Sequence, residues 1–394
     1  MNDSVSTASI ENLESAPYKP VLKVLGLGGG GCNAINRMIE LGLNGVDFIA
    51  ANTDAQALKH SLAGQKIQLG PKSTRGLGAG GNPQVGEIAA QESSKEIAAA
   101  LAGADLVFLT AGMGGGTGTG SIPIAAEIAR KIGAVTVSVV TTPFNFEMGR
   151  RQKNANDGLA RLNRHSDTLI AISNDRLLDM RGGNLTIDLA FRVADDVLRQ
   201  AIQGITELIT EPGLINVDFS NVRRLMKLGG GAFLAIGQGQ GDDKVEDAIH
   251  KALNHPLVDH VSLEHASGIL INFTGGNDLS LFEVNAALTN LQANANPNTE
   301  IVMGVINDER MEGRVQAILI VTGLGAHTLE EVLPGAEKLH KQPKPVDKAP
   351  SVEEVLESES VDQAQFPPMP ASNNLDLPAF LRRERYSGQG THTG

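Results

Sequence analysis

Apolar positions along this chain alternate between two spacings. Short unbroken runs of buried-strand type stand at 21–27, 47–51, 106–111, 134–140 and 167–172, each bounded by glycine or polar residues. Between them apolar residues recur three and four apart, as at Ile122, Ala125, Ala126 and Ala129, the spacing of a helix with one buried face. Helices are expected from Asn33, along an alanine-rich stretch after Pro83, after Gly120 and from Arg150. A strand–helix alternation of this kind predicts an α/β fold on a parallel sheet. A longer amphipathic helix is predicted over 187–209, where Leu189, Val193, Val197, Ala201, Ile205 and Leu208 form one buried stripe and Pro212-Gly213 stops it. Further strands at 231–236, 265–274, 300–307 and 315–322, with helices near 242–253 and 279–292, predict a second, smaller α/β domain with a mixed sheet. The apolar period stops near Pro334. The expected boundaries are a disordered lead-in over 1–19, a first domain over 20–186, a connecting helix over 187–211 and a second domain over 212–330. A flexible linker over 331–372, a compact apolar patch over 373–386 and a disordered end over 387–394 complete the chain.

The predicted strand at 106–111 runs into Gly112-Met-Gly-Gly-Gly-Thr-Gly-Thr-Gly120 and then into a helix, so six glycines fall within nine residues. Without Cβ atoms such a loop can bring its N–H groups against a ligand, and the following helix adds the positive end of its dipole. The combination suits phosphate, and the hydroxyls of Thr117 and Thr119 add donors. No Lys-Ser or Lys-Thr pair closes the loop, so it is not a Walker A loop. A second loop, Gly28 to Gly31, follows the first strand, and a third, Arg75-Gly-Leu-Gly-Ala-Gly-Gly-Asn-Pro83, precedes the alanine-rich helix. Gly26, Gly28 and Gly31 also fit G-x-G-x-x-G, with Asp47 and Asp54 about twenty residues on, which keeps a dinucleotide oxidoreductase open. Two phosphate loops on two parallel strands point instead to a triphosphate gripped from both sides. Glu147 and Arg151 suit ribose hydroxyls and phosphate, and a solvated helix terminus explains them equally well. Phe191 and Asp195, four apart, share a helix face. A flat ring with one carboxylate acceptor can read the adjacent N1–H and N2–H₂ donors of guanine; a core ring with an exposed acid is the plainer account.

Composition narrows the class. The chain has 394 residues, a net charge of −12, one cysteine, no tryptophan and two tyrosines. That charge, with no basic stripe, argues against a general nucleic-acid binder. A lone cysteine excludes an internal disulfide, and the histidines show no metal-ligand spacing, so no protein-only metal site is expected. No signal peptide or membrane span is evident, which makes a cytoplasmic protein the expectation and any membrane contact indirect.

The run 114–120, Gly-Gly-Gly-Thr-Gly-Thr-Gly, resembles the signature of the tubulin/FtsZ GTPase family, and its surroundings resemble bacterial FtsZ over about 21–324 and again near the C-terminus. The resemblance implies GTP or GDP, with Mg²⁺ carried through the nucleotide. It implies nucleotide contacts from Gly28, Gly29, Gly30, Gly31, Cys32, Asn33, Ala79, Gly80, Gly112, Met113, Gly114, Gly115, Gly116, Thr117, Gly118, Thr119, Gly120, Thr142 and Pro143. To these it adds Glu147 and Arg151, with Asn174, Phe191 and Asp195 at guanine. Asn216-Val-Asp218-Phe-Ser-Asn221 resembles the loop that one subunit inserts over its neighbour's γ-phosphate, which makes Asp218, Asn216 and Asn221 the candidate catalytic residues. The family pattern ends in Asp where this chain has Asn221; an amide keeps an acceptor to orient water but lacks the charge, so slow hydrolysis is expected. Leu375-Asp376-Leu377-Pro378-Ala-Phe380-Leu381-Arg382 resembles the family's C-terminal peptide, which implies docking on membrane-tethering, FtsA/ZipA-like partners at a mid-cell division ring.

Overall fold

The computed structural model describes residues 19–147, 149–179, 186–211, 213–229, 231–254 and 263–323. The lead-in before residue 19, the linker and the expected docking residues Leu375, Asp376, Leu377, Pro378, Phe380, Leu381 and Arg382 lie outside them.

The first half runs β1 (Leu22–Leu27), α1 (Gly28–Glu40), β2 (Asp47–Asn52), α2 (Ala55–Lys59), β3 (Gln65–Gln68), α3 (Pro83–Glu92) and α4 (Ser94–Leu101). It continues with β4 (Leu106–Gly112), α5 (Thr117–Lys131), β5 (Val135–Thr142), α6 (Arg150–Leu162), β6 (Thr168–Ser173) and α7 (Asn174–Asp179). The long α8 (Ile187–Thr210) and short α9 (Phe219–Met226) then lead to β7 (Gly231–Gln240), α10 (Lys244–Leu253), β8 (Gly268–Gly275), α11 (Leu281–Ala293), β9 (Glu300–Asn307) and β10 (Arg314–Thr322). The strands form one sheet in the order β3-β2-β1-β4-β5-β6-β7-β10-β8-β9. Strands β1 to β6 are parallel, whereas β10 runs antiparallel to both β7 and β8. Among the described residues β6 meets β7 through Leu169↔Gly231 and Ile170↔Ala232. The two expected sheets are therefore continuous at one seam.

What bridges that seam is α8. Its Ala194, Val197, Leu198, Ala201, Ile202, Ile205 and Leu208 pack in one cluster with Ile35 and Met38 of α1 and Phe108 of β4. The same cluster contains Leu234, Leu270, Val302, Ile318 and Ile320 from the second half. Helices α3, α4, α5 and α6 cover the opposite face of the parallel sheet, and α10 and α11 that of the mixed sheet. The expected stripe on α8 holds only from Val197 onward. Leu189 is 39% exposed and Val193 half-buried, while the polar Arg199 and Thr206 are completely buried. In the first turns the buried face is instead that of Ala190 and Ala194, and the middle packs against both halves, so burial there exceeds one stripe.

Three local differences from the sequence reading have physical causes. The alanine-rich helix is two helices, broken at Ser93, whose hydroxyl accepts from Gly70 N–H (3.0 Å) and donates to Gln68 O (3.3 Å). The edge strand β3 has a single buried side chain, Ile67, and so shows no apolar run. Residues 263–265 form a 3₁₀ turn, and β8 starts only at Gly268.

Helix α5 crosses α3 at Gly120, where a Cβ would run into the carbonyl oxygen of Pro83 and lie 2.7 Å from Glu87 N. Gly120→Ala is expected to lower stability by about 1–3 kcal/mol, the usual range for overpacking. Gly64→Ala, at a position with nothing within 4 Å, should stay within about 0.5 kcal/mol. Denaturant unfolding of the two variants checks the contrast; equal stability would remove the packing argument.

Candidate functional site

The glycine loops meet beyond the carboxyl ends of the parallel strands. Gly28 has φ +71°, and a Cβ there would lie 2.7 Å from Gly118 N and 3.3 Å from Thr117 Cβ. At Gly30 it would lie 3.0 Å from Gly112 N, and at Gly116 it would lie 2.8 Å from Asn82 N and 2.9 Å from Ala79 Cβ. Gly114, at φ +98°, comes against Arg151 O (2.9 Å) and Pro143 Cγ (3.3 Å). Four segments, 28–31, 79–82, 112–120 and 142–151, thus share one crevice. Hydrogen bonds hold them there: Thr53 Oγ1 meets Thr117 Oγ1 at 2.6 Å, and Met113 N–H donates to Thr141 O at 2.8 Å. Asn154 Nδ2 donates to Gly114 O (3.2 Å) and Gly81 O (3.4 Å).

Helices α1 and α5 both begin in this crevice, with no side-chain cap and no acid in the first turn. By contrast α2, α3, α8, α9 and α11 are capped by Asp54, Asn82, Thr186, Asp218 and Ser280. The orphan N–H groups and positive dipole ends of α1 and α5 are left for an anion.

Individual glycines do different work. Gly29, Gly80 and Gly115 have nothing within 4 Å of a Cβ position and face open space. At Gly118 a Cβ would meet Gly112 O (3.0 Å) and Leu27 O (3.1 Å), so this glycine packs the loop against the strand ends. Gly31 likewise presses on Thr110 O. The Thr119 hydroxyl is committed to the loop, accepting from Gly114 N–H at 2.8 Å. Cys32 turns its thiol into the core, where burial pushes its pKa up to about 12; only its main chain can serve a ligand. Asn33 is exposed at the rim, and Ala79, Thr142 and Pro143 are buried in its walls.

At the other end of the crevice Phe144 is fully buried, stacked on Phe146 (5.0 Å between centroids) and edge-on to Phe191 (5.3 Å, 83°). Phe191 stays 41% exposed, which leaves ring surface for a base. Asp195, half-buried one turn further along α8, has its pKa raised to about 7 by desolvation, against the pull of Arg37 and with a push from Asp196. Asn174 is 4% exposed, and its Oδ1 has no partner among the described residues, an orphan that a bound base would satisfy. Glu147 and Arg151 are paired with each other, and Glu147 Oε1 also accepts from Phe144 N–H at 3.0 Å. Thr53, Phe144, Asn154 and Arg37 were not singled out in the sequence, since their roles rest on long-range contacts.

Asp218, Asn216 and Asn221 are elsewhere. With 24 residues, α8 is ~36 Å long. Its last residue packs by Gly45, which precedes β2 at the amino edge, with Thr210 Oγ1 3.1 Å from the Cβ position. A Cβ on Gly304 would touch both Leu208 Cδ1 (2.7 Å) and Val217 Cγ2 (3.3 Å), which fixes the 213–218 segment beside that far end. Asp218 caps α9 through Ser220 N–H (3.0 Å), and Asn216 Oδ1 accepts from Gly213 N–H (2.7 Å). Among the described residues no hydrogen bond or ion pair joins 213–221 to the glycine loops. The structure brings the residues expected at the nucleotide together and keeps Asp218, Asn216 and Asn221 apart from them.

Two other expectations meet the geometry here. Asp54 caps α2, its Oδ1 accepting from Gln56 N–H (2.8 Å) and Ala57 N–H (3.1 Å), and Asp47 sits at the opposite end of β2, away from the glycine loops. Among the described residues no group of three or more His, Cys, Asp or Glu converges on a metal position.

Residues 21–182 match the Tubulin/FtsZ family GTPase domain, and residues 230–325 match the FtsZ family C-terminal domain. Among solved structures, an empty FtsZ dimer from M. jannaschii is 47% identical, over 78% of this chain and 89% of that one, with a TM-score of 0.74. The chain belongs to the tubulin/FtsZ family. A mutant FtsZ from M. jannaschii matches at 46% identity over 79% of this chain and 92% of that one, also with a TM-score of 0.74. CetZ2 from Haloferax volcanii, solved as a GTPγS-bound protofilament, shares the fold at 20% identity over 81% and 98% of the chains, with a TM-score of 0.69. Family members are GTPases that bind GTP or GDP.

Gly115→Val projects a side chain into open crevice without a protein clash, so GTP affinity should fall at least about tenfold while the melting temperature holds. Unchanged affinity by calorimetry would take the loop off the phosphates. As a guanine reader Asp195 would act in its ionised form, which offers acceptors alone to the two adjacent donors. Because its pKa is raised to about 7 from 3.8, GTP affinity should be full above that pH and decline as pH falls below it. The same shift costs the ligand-free fold stability as pH rises from about 4 through 7. Asp195→Asn should bind more weakly and lose the component of the pH slope that belongs to residue 195; identical pH profiles would contradict the assignment.

Proposed function

We propose that this chain binds and hydrolyses GTP, polymerises head to tail into protofilaments, and forms the cytokinetic ring at the division site. The observation that carries the reading is the separation of the nucleotide crevice from Asp218 by the length of α8. One copy cannot close its own site, so a second copy must bring its Asp218 loop to the first copy's phosphates. Exposed apolar side chains stand at both ends, Leu77 (84% exposed) and Phe146 (54%) by the crevice and Leu214 (66%) beside Asp218. A head-to-tail contact would cover them.

In this reading the N–H groups of 28–31 and 115–118 hold the phosphates, and Phe191, Asp195 and Asn174 hold guanine. Binding separates Glu147 from Arg151, the acid turning to ribose and the guanidinium to phosphate. The neighbouring copy's Asp218 takes the proton of the attacking water, and Asn216 helps orient it. A Mg²⁺ ion, resting on phosphate oxygens with no cage of protein acids, would add charge neutralisation. With an amide at 221 hydrolysis should be slow for the family, and at the extreme the chain is a GTP-binding structural homologue. The segment 375–382 would dock on FtsA/ZipA-like tethering proteins at mid-cell in the cytoplasm.

Turnover per chain should be negligible at low protein concentration and rise above the threshold at which light scattering reports polymer. Asp218→Ala should assemble and lose turnover by at least about 100-fold. Turnover per chain that is constant from far below that threshold would mean a site complete in one copy.

A further inference from the structure

Position 221 carries an amide where the family pattern has an acid, and the structure shows what that amide touches. Asn221 Oδ1 accepts a hydrogen bond from Arg224 Nη2 at 3.4 Å, one helical turn along α9. Its acceptor end is thereby turned toward the arginine, which leaves the Nδ2 donor to face outward. Such a residue offers donors and cannot take a proton from water. Arg224 shares the face of Asn221 by its i,i+3 spacing, and its side chain is 62% exposed. Nη2 also pairs with Glu300 at the start of β9, which braces the guanidinium from behind. Among the described residues Nε and Nη1 of Arg224 make no hydrogen bond, so part of the planar donor fork is available to a ligand.

We propose that Arg224 is a catalytic residue supplied in trans: with Asn221 it forms a donor pair that takes up charge on the terminal phosphate of the neighbouring copy's GTP. This rests on the shared-site reading above. In the step, the water oxygen bonds to the γ-phosphorus while its bond to the bridging oxygen breaks and that electron pair leaves with GDP. The water proton goes to Asp218. Arg224 stays protonated throughout and acts by charge alone. The acid missing at 221 is thus replaced by electrostatic stabilisation of the charge on the terminal phosphate in the transition state, a contribution that arginines supplied by a partner make in other phosphoryl transfers. The amide at 221 is part of the device, because an aspartate there would pair with Arg224 and hold it away from phosphate.

The test compares Arg224→Ala, Arg224→Lys and Glu300→Gln for turnover per assembled subunit and for the assembly threshold. Arg224→Ala should lose about 100-fold or more in turnover with a threshold within about twofold of the parent, Arg224→Lys should recover part, and millimolar guanidinium ion should partly rescue the alanine variant. Glu300→Gln, which keeps an acceptor for Nη2 and removes only the charge of the pair, should hold most of the turnover. Equal losses from Glu300→Gln and Arg224→Ala, a change in threshold alone, or no loss at all would overturn the proposal. Should Arg224→Ala not assemble alone, copolymers with excess parent chain should lose turnover in proportion to the variant fraction, and unchanged turnover would overturn it. In the parent chain, turnover independent of concentration would overturn the shared-site reading instead, so the two failures are distinguishable.

Discussion

The burial of α8 between two sheet halves is the constraint on which the rest depends. Among the described residues the seam between the halves is two residue pairs wide, and the apolar cluster that α8 shares with both halves holds them together. Burying several Ala, Val, Leu and Ile side chains on each side contributes on the order of 1.5–3 kcal/mol for each large residue. The helix therefore acts as a rigid spacer. Its first turns carry Phe191 and Asp195 at the base end of the crevice, and its last turn adjoins the loop with Asp218. Any chemistry that needs both ends needs two copies of the chain.

Within the crevice the governing quantity is the distance between main chains. Gly28, Gly30, Gly116 and Gly118 bring three loops so close that a Cβ would meet backbone at about 2.7–3.1 Å. Those glycines build the frame. Gly29, Gly80, Gly81 and Gly115 instead leave open space at the crevice. Glycine density in the sequence marks the site without telling the two roles apart, because spacing does not reveal which carbonyl faces which Cα.

Much of the fold was legible because its strands are buried and unbroken. The runs at 106–111 and 315–322 became β4 and β10 almost residue for residue, and α8 ends within one residue of the expected position. The edge strand β3 and the break at Ser93 were not legible, since one depends on a single buried Ile67 and the other on a hydroxyl satisfying Gly70 N–H across the chain. In the site, the glycine loops at the strand ends followed from local pattern. The pairing of Glu147 with Arg151, the ring of Phe144 under Phe191 and the grip of Arg224 on Asn221 are side-chain contacts that periodicity does not encode.

The central claim, that α8 divides the active site between two copies, is tested most directly by mixing two variants that are each inactive. Gly115→Val keeps Asp218 but does not hold GTP, and Asp218→Ala holds GTP but lacks the carboxylate. Mixed in equal amounts, they should recover GTP turnover, because a Gly115→Val copy can complete the site of an Asp218→Ala copy. A mixture as inactive as its components, with both chains present in the same polymer, would contradict the account.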